Sequence, residues 1–516
     1  MTERLASRTL RNSVLVVGAR ALAKLAVFVV VVLLWRHLGA DNYGRFATMI
    51  VYVTLVGVVA DLGLQTVFIR DASRDRSAFT RYLGNLLSTR LLLSLAALLI
   101  LAVALRVLSP ALFPYTLAAF ALLLTTSYSS LLRAVFYIRG RLGYEAIAIV
   151  AESIVLLALT LVAINRRATW DAFLWVYTIS YLFTCLFAYA VLRWRWHERV
   201  AVRLEPVFVR RLLTAGLPLA LGFTITTVYA QLDIVLLQLL KNFQMVGWYS
   251  AANKYIDAVA WVPQSAMGVV FPALSLLGAS DRRRLAFAYE KSFKMLAILG
   301  LPLAVGLGVM ADSIVHFTRG FEQSIPALQI LAPSVVLLFV NNAFIYTLTA
   351  INRQLDFTRL ALFTLAVNLV LNLLLIPLYG YLGAAAASTA TEVALFAGGW
   401  WLLRRHRLPL SSVVAAHGCL PVRPLWESSS TRCDRGHWPS SSSSGRLSTS
   451  SRWSRCARST QRSGPLFALP ADSPAKGRVR AQAASLPSLR RFRKDAGVSQ
   501  KLWPGALARH AHCWRC

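Results

Sequence analysis

The chain has 516 residues, 57% of them hydrophobic and 15% charged, and carries a formal net charge of +33. That is too little polar surface to cover the core of a water-soluble protein of this length, which excludes a soluble globular fold. Nor is the charge a nucleic-acid footprint: 18 Lys and Arg against 4 Asp and Glu fall after residue 410, and most of the remaining excess sits in short loops between apolar runs.

The apolar residues come in blocks, among them 14–34, 91–105, 147–164 and 360–376. These approach the roughly 20 residues that carry a helix across about 30 Å of hydrocarbon. The pattern predicts an all-α membrane protein of about twelve spans, at 14–38, 46–69, 83–107, 112–136, 146–164, 171–192, 212–240, 247–277, 289–315, 325–350, 357–378 and 381–403. Arg4, Arg8 and Arg11 precede the first block, but it is too long for a cleavable leader and no small-residue cleavage site follows it. It is expected to remain as the first helix. Basic residues alternate from loop to loop across these spans, 26 on one side and 7 on the other. The richer side, and with it the N-terminus, is expected in the cytoplasm. The loops on the other side are short, leaving no room there for a catalytic domain. Pro218, Pro263, Pro302 and Pro333 fall inside predicted helices and are expected to allow kinks.

The two halves repeat at an offset of about 203–212 residues. After the first span a short polar turn leads through Tyr43 and Gly44 to Phe46 and Ala47. After the seventh, a similar turn leads through Val246 and Gly247 to Tyr249 and Ser250. Residues 138–141 match 350–353 in the loop after the fourth span of each half. An even number of spans per repeat gives both halves the same sense of entry. Two pseudo-symmetric six-helix lobes follow, 1–200 and 201–405, which suit rocking about a central site.

Four elements carry a family resemblance. Arg36, Leu38, Gly39, Tyr43 and Gly44 form an R-x-L-G-x-x-x-Y-G turn, and Asp61, Gly63 and Leu64 with Arg70 beyond them end the second span. Gly247, Tyr249, Ser250, Ala251 and Ala252, with Pro272 and Ser275, bracket the eighth. Asn368, Asn372, Pro377, Gly380 and Gly383 to Ala386 mark the eleventh and twelfth. Together, over about residues 10–405, the chain resembles the polysaccharide-biosynthesis (O-antigen type) flippases of the multidrug/oligosaccharidyl-lipid/polysaccharide flippase superfamily. The resemblance implies a two-lobed fold that moves a polyprenyl-diphosphate-linked oligosaccharide across a bacterial inner membrane. It also implies membrane lipid, a polysaccharide polymerase and a chain-length regulator as partners, without nucleic acid.

Charge at membrane depth is costly, so each intramembrane ion is a candidate for a hydrated cavity. Arg20 and Lys24 share a face of the first span, and Lys254 and Asp257 share one of the eighth. With a diphosphate cargo in view, Arg20, Lys24 and Lys254 are the expected cations, with Asp257 at the same central site. Asp61 and Asp233 are expected to pair with such cations, to carry a coupling proton or sodium ion, or to be structural. Asp61 has the further alternative of bonding backbone near the Gly63 break. Arg20 has the alternative of reaching the interface, and Lys254–Asp257 that of a purely structural pair. Arg90 and Glu145, near span ends, are expected at the interface.

After about residue 410 the helical pattern ends. Ser fills 440–444, and Cys419, Cys433, Cys456, Cys513 and Cys516 occur among Arg, Trp and Pro. Disordered tails normally avoid Cys and Trp. Residues 411–516 are expected to be a basic, Ser/Arg-rich tail, disordered or produced by a frameshift near 411–425 that replaced two further helices. The rival is a basic cytoplasmic tail that binds anionic lipid.

Three functions compete: the flippase, an ion-coupled multidrug or small-molecule exporter of the same fold, and a membrane glycan polymerase or ligase. The short outer loops disfavour the enzyme, and His37, His197, His316 and His406 all lie near span ends. No nucleophile–base pairing, metal-ligand spacing or cofactor motif is visible, so no catalytic residue, metal or cofactor is expected.

Overall fold

Backbone groups inside hydrocarbon find no water, so each membrane crossing must close its hydrogen bonds within itself. The computed structural model meets this with helices, and has no strand among the described residues, 2–75, 79–197, 202–318, 321–406 and 408. The expectations for residues 411–516 lie outside that set. The first half comprises α1 (Thr2–Asp61), α2 (Leu64–Arg74), α3 (Phe79–Leu108), α4 (Thr116–Ile138), α5 (Leu142–Asn165) and α6 (Ala172–Ala190). The second comprises α7 (Pro206–Leu240), α8 (Phe243–Ser280), α9 (Arg282–Val309), α10 (Ala311–Thr318), α11 (Ser324–Ala350), α12 (Gln354–Tyr379) and α13 (Tyr381–Arg405).

Ten helices of the described residues are long and apolar enough to cross a membrane. One of them, Val16–Asp61, bends at Gly39 (φ 70°) and makes two passages. The Ala- and Thr-rich α13, 25 residues long, is not among those ten but coincides with the twelfth expected span. The twelve expected spans thus correspond to twelve helical segments, six in each half. Helices run past several expected limits: α7 begins at Pro206 and α3 at Phe79. Hydropathy reports the hydrocarbon, whereas hydrogen bonding continues each helix into the polar boundary. Two expected spans are broken. The second is interrupted at Leu62 (φ 43°) and Gly63 (φ 71°), and the ninth ends at Val309 before the short α10. The four expected prolines sit inside α7, α8, α9 and α11 without ending them.

The repeated turns face each other. Gly44 packs on the Phe243 carbonyl, and Gly247 packs on the Ala40 carbonyl. At the repeat offset Gly44 corresponds to Gly247 and Ala40 to Phe243, so the two contacts are images of one another about a pseudo-two-fold axis. The turns reach this geometry by different chemistry. Gly39 takes a left-handed conformation, whereas Asn242 caps α8 by accepting from the Met245 amide at 2.9 Å.

Around this seam the halves share an aromatic cluster. Trp35 meets Tyr43, Tyr255 and Phe321, and Phe28 meets Tyr255. Arg36 donates from Nε to the Thr318 carbonyl and from Nη2 to the Phe317 carbonyl, both at 2.9 Å. A cation thereby meets the C-terminal end of α10, where the helix dipole favours it. Toward the basic face the pattern changes. A separate apolar core of Leu64, Phe68, Phe79, Leu131, Val135 and Leu192 holds the first lobe together there, and from the second half it takes in α7 residues such as Leu212. Glu205, at the start of α7, is strapped to α3: Arg81 Nε donates to it at 2.9 Å and its own amide donates to Asn85 at 2.7 Å. The Arg81 guanidinium holds the Glu205 carboxyl below its ordinary range.

The seam leaves no room for one methyl group. A Cβ at Gly44 would lie 1.7 Å from the Phe243 carbonyl oxygen, and one at Gly247 2.1 Å from that of Ala40. Gly44→Ala and Gly247→Ala should each cost at least the roughly 1–3 kcal/mol of an overpacked core, read as a lowered Tm and loss of monodisperse protein in detergent. Gly57→Ala, whose Cβ meets nothing within 4 Å, should be neutral. A wild-type Tm in both seam variants would show that the turns are not in close contact.

Candidate functional site

Below the aromatic seam the sequence-predicted ions divide into separate groups. Lys254 and Asp257 lie on one face of α8 and pair at 2.9 Å, with 43% and 49% of their side chains exposed. Buried Tyr43, of the first lobe, is near enough to feel both charges. Arg20 is exposed and donates to the Tyr137 hydroxyl, which donates in turn to Glu145 at 3.3 Å. Its contacts are therefore with the first lobe's own α4 and α5. Lys24, one turn further along α1, is exposed and pairs with no other described residue. It lies about 6 Å nearer the basic face than Phe28, whose ring marks the end of the aromatic contacts between lobes. The structure joins Lys254 to Asp257 and leaves Lys24 open. It forms no contact between the α1 cations and the α8 pair.

Arg90 and Glu145, expected near span ends, are both enclosed by protein. Glu145 is buried, and the Arg90 side chain is wholly enclosed. Arg90 donates to the Asp61 carboxylate, to the Ser127 carbonyl, and to Ser130 Oγ at 3.1 Å. Asp61 thus pairs with neither Arg20 nor Lys24, and its partner is not backbone near Gly63. α3 begins at Phe79, so Arg90 lies eleven residues, about 16 Å, along the helix. Asp61 keeps 31% of its side chain exposed and, with Arg90, lines a cavity of about 340 Å³ among the second half of α1, α3, α4, α6 and α7.

The second lobe holds two carboxylates of another kind. Asp233 is buried and accepts from the Tyr249 hydroxyl at 2.7 Å, from Asn372 Nδ2 at 2.7 Å and from Ser388 Oγ. One turn away on α7, Tyr229 donates to Glu392 at 3.1 Å, which also accepts from Asn341 Nδ2 at 2.7 Å. Every one of these donors is neutral. The amide oxygens of Asn341, Asn368 and Asn372 are buried without a partner in the same region. A buried carboxylate ringed by neutral donors and orphaned acceptors creates a negative potential that a proton or a small cation would relieve. Among the described residues, no group of three or more His, Cys, Asp or Glu could hold a metal ion. The motif residues Tyr249 and Asn372 announced this site in the sequence; Ser388 and Asn341 carried no signal.

The Arg90–Asp61 pair can be isolated by a cycle of variants. Arg90→Ala leaves a carboxylate at membrane depth without its cation and should cost about 3 kcal/mol, the lower end of the range for a broken buried pair because Asp61 is partly exposed. Asp61→Ala combined with Arg90→Ala should recover part of that loss in Tm. Additive losses would show that the pair is not coupled.

A family described as polysaccharide biosynthesis protein matches residues 9–277, just over half of the chain. An uncharacterized membrane protein, MJ1068, of Methanocaldococcus jannaschii is 25% identical over 38% of this chain and 40% of its own length. The probable low-salt glycan biosynthesis flippase Agl15 of Haloferax volcanii is 25% identical over 31% of this chain and 34% of its own. The chain thus spans well under half the length of these two relatives. The putative O-antigen transporter of Escherichia coli K12 is matched more widely, at 20% identity over 69% of this chain and 87% of its own. In fold, the chain is similar to the lipid II flippase MurJ in an inward closed conformation, with TM-score 0.63 and 13% identity, covering 78% of this chain and 91% of that one. It is also similar to an inward-facing multidrug resistance MATE family transporter of the MOP superfamily, with TM-score 0.61 and 14% identity, covering 77% and 99%. These structures bear on fold alone, and they share its two-lobed helical design. With the family match covering the first lobe and the seam, this multi-pass membrane chain belongs to the polysaccharide biosynthesis protein family.

Proposed function

We propose that the protein is a flippase that moves a polyprenyl-diphosphate-linked oligosaccharide across the bacterial inner membrane, by alternating access and without covalent chemistry. The observation that carries this reading is that Arg20, Lys24 and Lys254 keep exposed side chains on long apolar helices of both halves. The lobes, 1–200 and 201–405, would rock about the seam with the basic loops and the N-terminus in the cytoplasm. Lys24 is the cation most available to a diphosphate, because no other described residue neutralises it. Lys254 would exchange part of its bond to Asp257 for the cargo, and Arg20 would hold the cytoplasmic rim. The names of the Haloferax and Escherichia relatives point to the same class of cargo.

The buried carboxylates of the second lobe support coupling of this movement to an ion gradient. Asp233 collects α8, α12 and α13 onto α7 through Tyr249, Asn372 and Ser388. Binding or losing one positive charge there would change how tightly those helices pack, which is the differential interaction a gradient needs to shift a conformational equilibrium.

In proteoliposomes, the wild-type protein should translocate a fluorescent polyprenyl-diphosphate glycan, and Lys24→Ala or Lys254→Ala should slow this at least tenfold at equal protein level. Normal translocation in both variants would remove these cations from the diphosphate site. Transport of cationic drugs without transport of the lipid would favour the exporter instead. Asp233→Asn keeps the side-chain size and removes the charge, exchanging one acceptor oxygen for an NH2 that the Tyr249 and Ser388 hydroxyls can turn to accept. It should leave Tm near wild type and abolish the dependence of transport on a sodium or pH gradient; a gradient dependence like the wild type would place coupling elsewhere.

A further inference from the structure

The first-lobe cavity has a chemistry unlike that of the open cations. The one cation in its wall, Arg90, is fully enclosed behind Asp61, whereas the Asp61 carboxylate reaches the space through the exposed part of its side chain. The pair is neutral overall, so neither an anion nor a cation gains net charge attraction there. A diphosphate in particular would meet the carboxylate before the guanidinium.

The rest of the wall is largely apolar, with Ile50, Val53, Leu122, Leu123 and Phe223, and hydroxyls are set among these side chains. Tyr177, Tyr181 and Thr227 line the cavity, and their hydroxyls bond to no other described residue. Thr227 is notable because Thr224 and Thr226 beside it, like Thr126 across the cavity, return their hydroxyls to a carbonyl of their own helix. An apolar occupant would leave the Tyr177, Tyr181 and Thr227 hydroxyls unsatisfied, at a cost for each. A neutral occupant carrying several hydroxyls of its own would satisfy them, with Asp61 as the strongest acceptor and the tyrosine rings covering its apolar face. At about 340 Å³ the space is within the range of small-ligand sites.

We propose that this cavity is the sugar subsite: it receives a sugar ring of the glycan, held by Asp61, Tyr177, Tyr181 and Thr227, while the diphosphate is met outside it. This rests on the flippase reading and adds a division of labour to it. The cargo's charged part goes to unpaired cations and its hydroxylated part to a charge-neutral pocket. Thr227 and Phe223 come from α7, the first helix of the second half, and the remaining wall comes from the first. Movement of one lobe against the other would therefore alter the sugar's contacts directly.

The test uses the full-length protein in lipid nanodiscs and two probes, farnesyl diphosphate and farnesyl diphosphate bearing one N-acetylhexosamine. The wild type should bind the sugar-bearing probe more tightly. Tyr181→Phe combined with Thr227→Val keeps the side-chain volumes and the Arg90–Asp61 pair while removing two hydroxyls. It should weaken sugar-bearing probe binding roughly tenfold, leave the bare diphosphate unchanged and keep Tm at the wild-type value. Equal affinity of the wild type for both probes, or an undiminished sugar preference in the variant, would overturn the proposal while leaving the diphosphate site standing. Failure of the wild type to bind either probe would instead remove the flippase reading and this proposal with it. A cationic dye that neither probe displaces, and that the same variant weakens, would assign the pocket to drugs and overturn the proposal.

Discussion

A charge carried into hydrocarbon must be answered by the protein around it, because no solvent is available to do so. This chain answers in three ways. Arg90 and Asp61 answer each other, in a pair closed on one side and open to a cavity on the other. Asp233 and Glu392 are answered only by neutral hydroxyls and amides, which leaves a negative potential. Lys24 is not answered by any described side chain, and Lys254 only by an exposed neighbour. The three solutions set apart a charge-neutral cavity, a buried negative site and exposed cations within the apolar helices.

The seam makes such a division mechanically useful. Two backbones touch through Gly44 and Gly247 with no side chain between them, and the aromatic rings about Trp35 brace the contact. Toward the basic face the first lobe has a core of its own, and α7 is tied to it by Glu205 on Arg81 and by Gly216 against Leu62. The halves are thus joined at one end by the glycine seam and at the other through α7. α7 contributes to both the first-lobe cavity and the Asp233 site, so it physically connects the two.

The family motifs take on a different meaning in this light. Arg36 meets the carbonyl end of α10, and Tyr43 packs in the aromatic seam. Gly247 is the seam itself, and Tyr249 and Asn372 build the Asp233 site. These residues hold the lobes together and shape the second lobe's polar centre. The polar residues that line the first-lobe cavity are less conspicuous in the chain, since a polar side chain facing a cavity needs no particular neighbour in sequence.

What the amino-acid sequence determined by itself was the number and order of the crossings, the alternation of basic loops and the pairing of the two repeats. Those depend on the hydropathy of short consecutive stretches and on turn residues such as Gly39 and Asn242, so they are local quantities. Only the tertiary structure decided which charge meets which. Arg90 finds Asp61 on a helix packed beside its own, and Asp233 finds Asn372 and Ser388 across the second lobe, at separations of 139 and 155 residues. Hydropathy assigns each residue a cost for entering the membrane. The neighbour that cancels that cost is a property of the folded bundle alone.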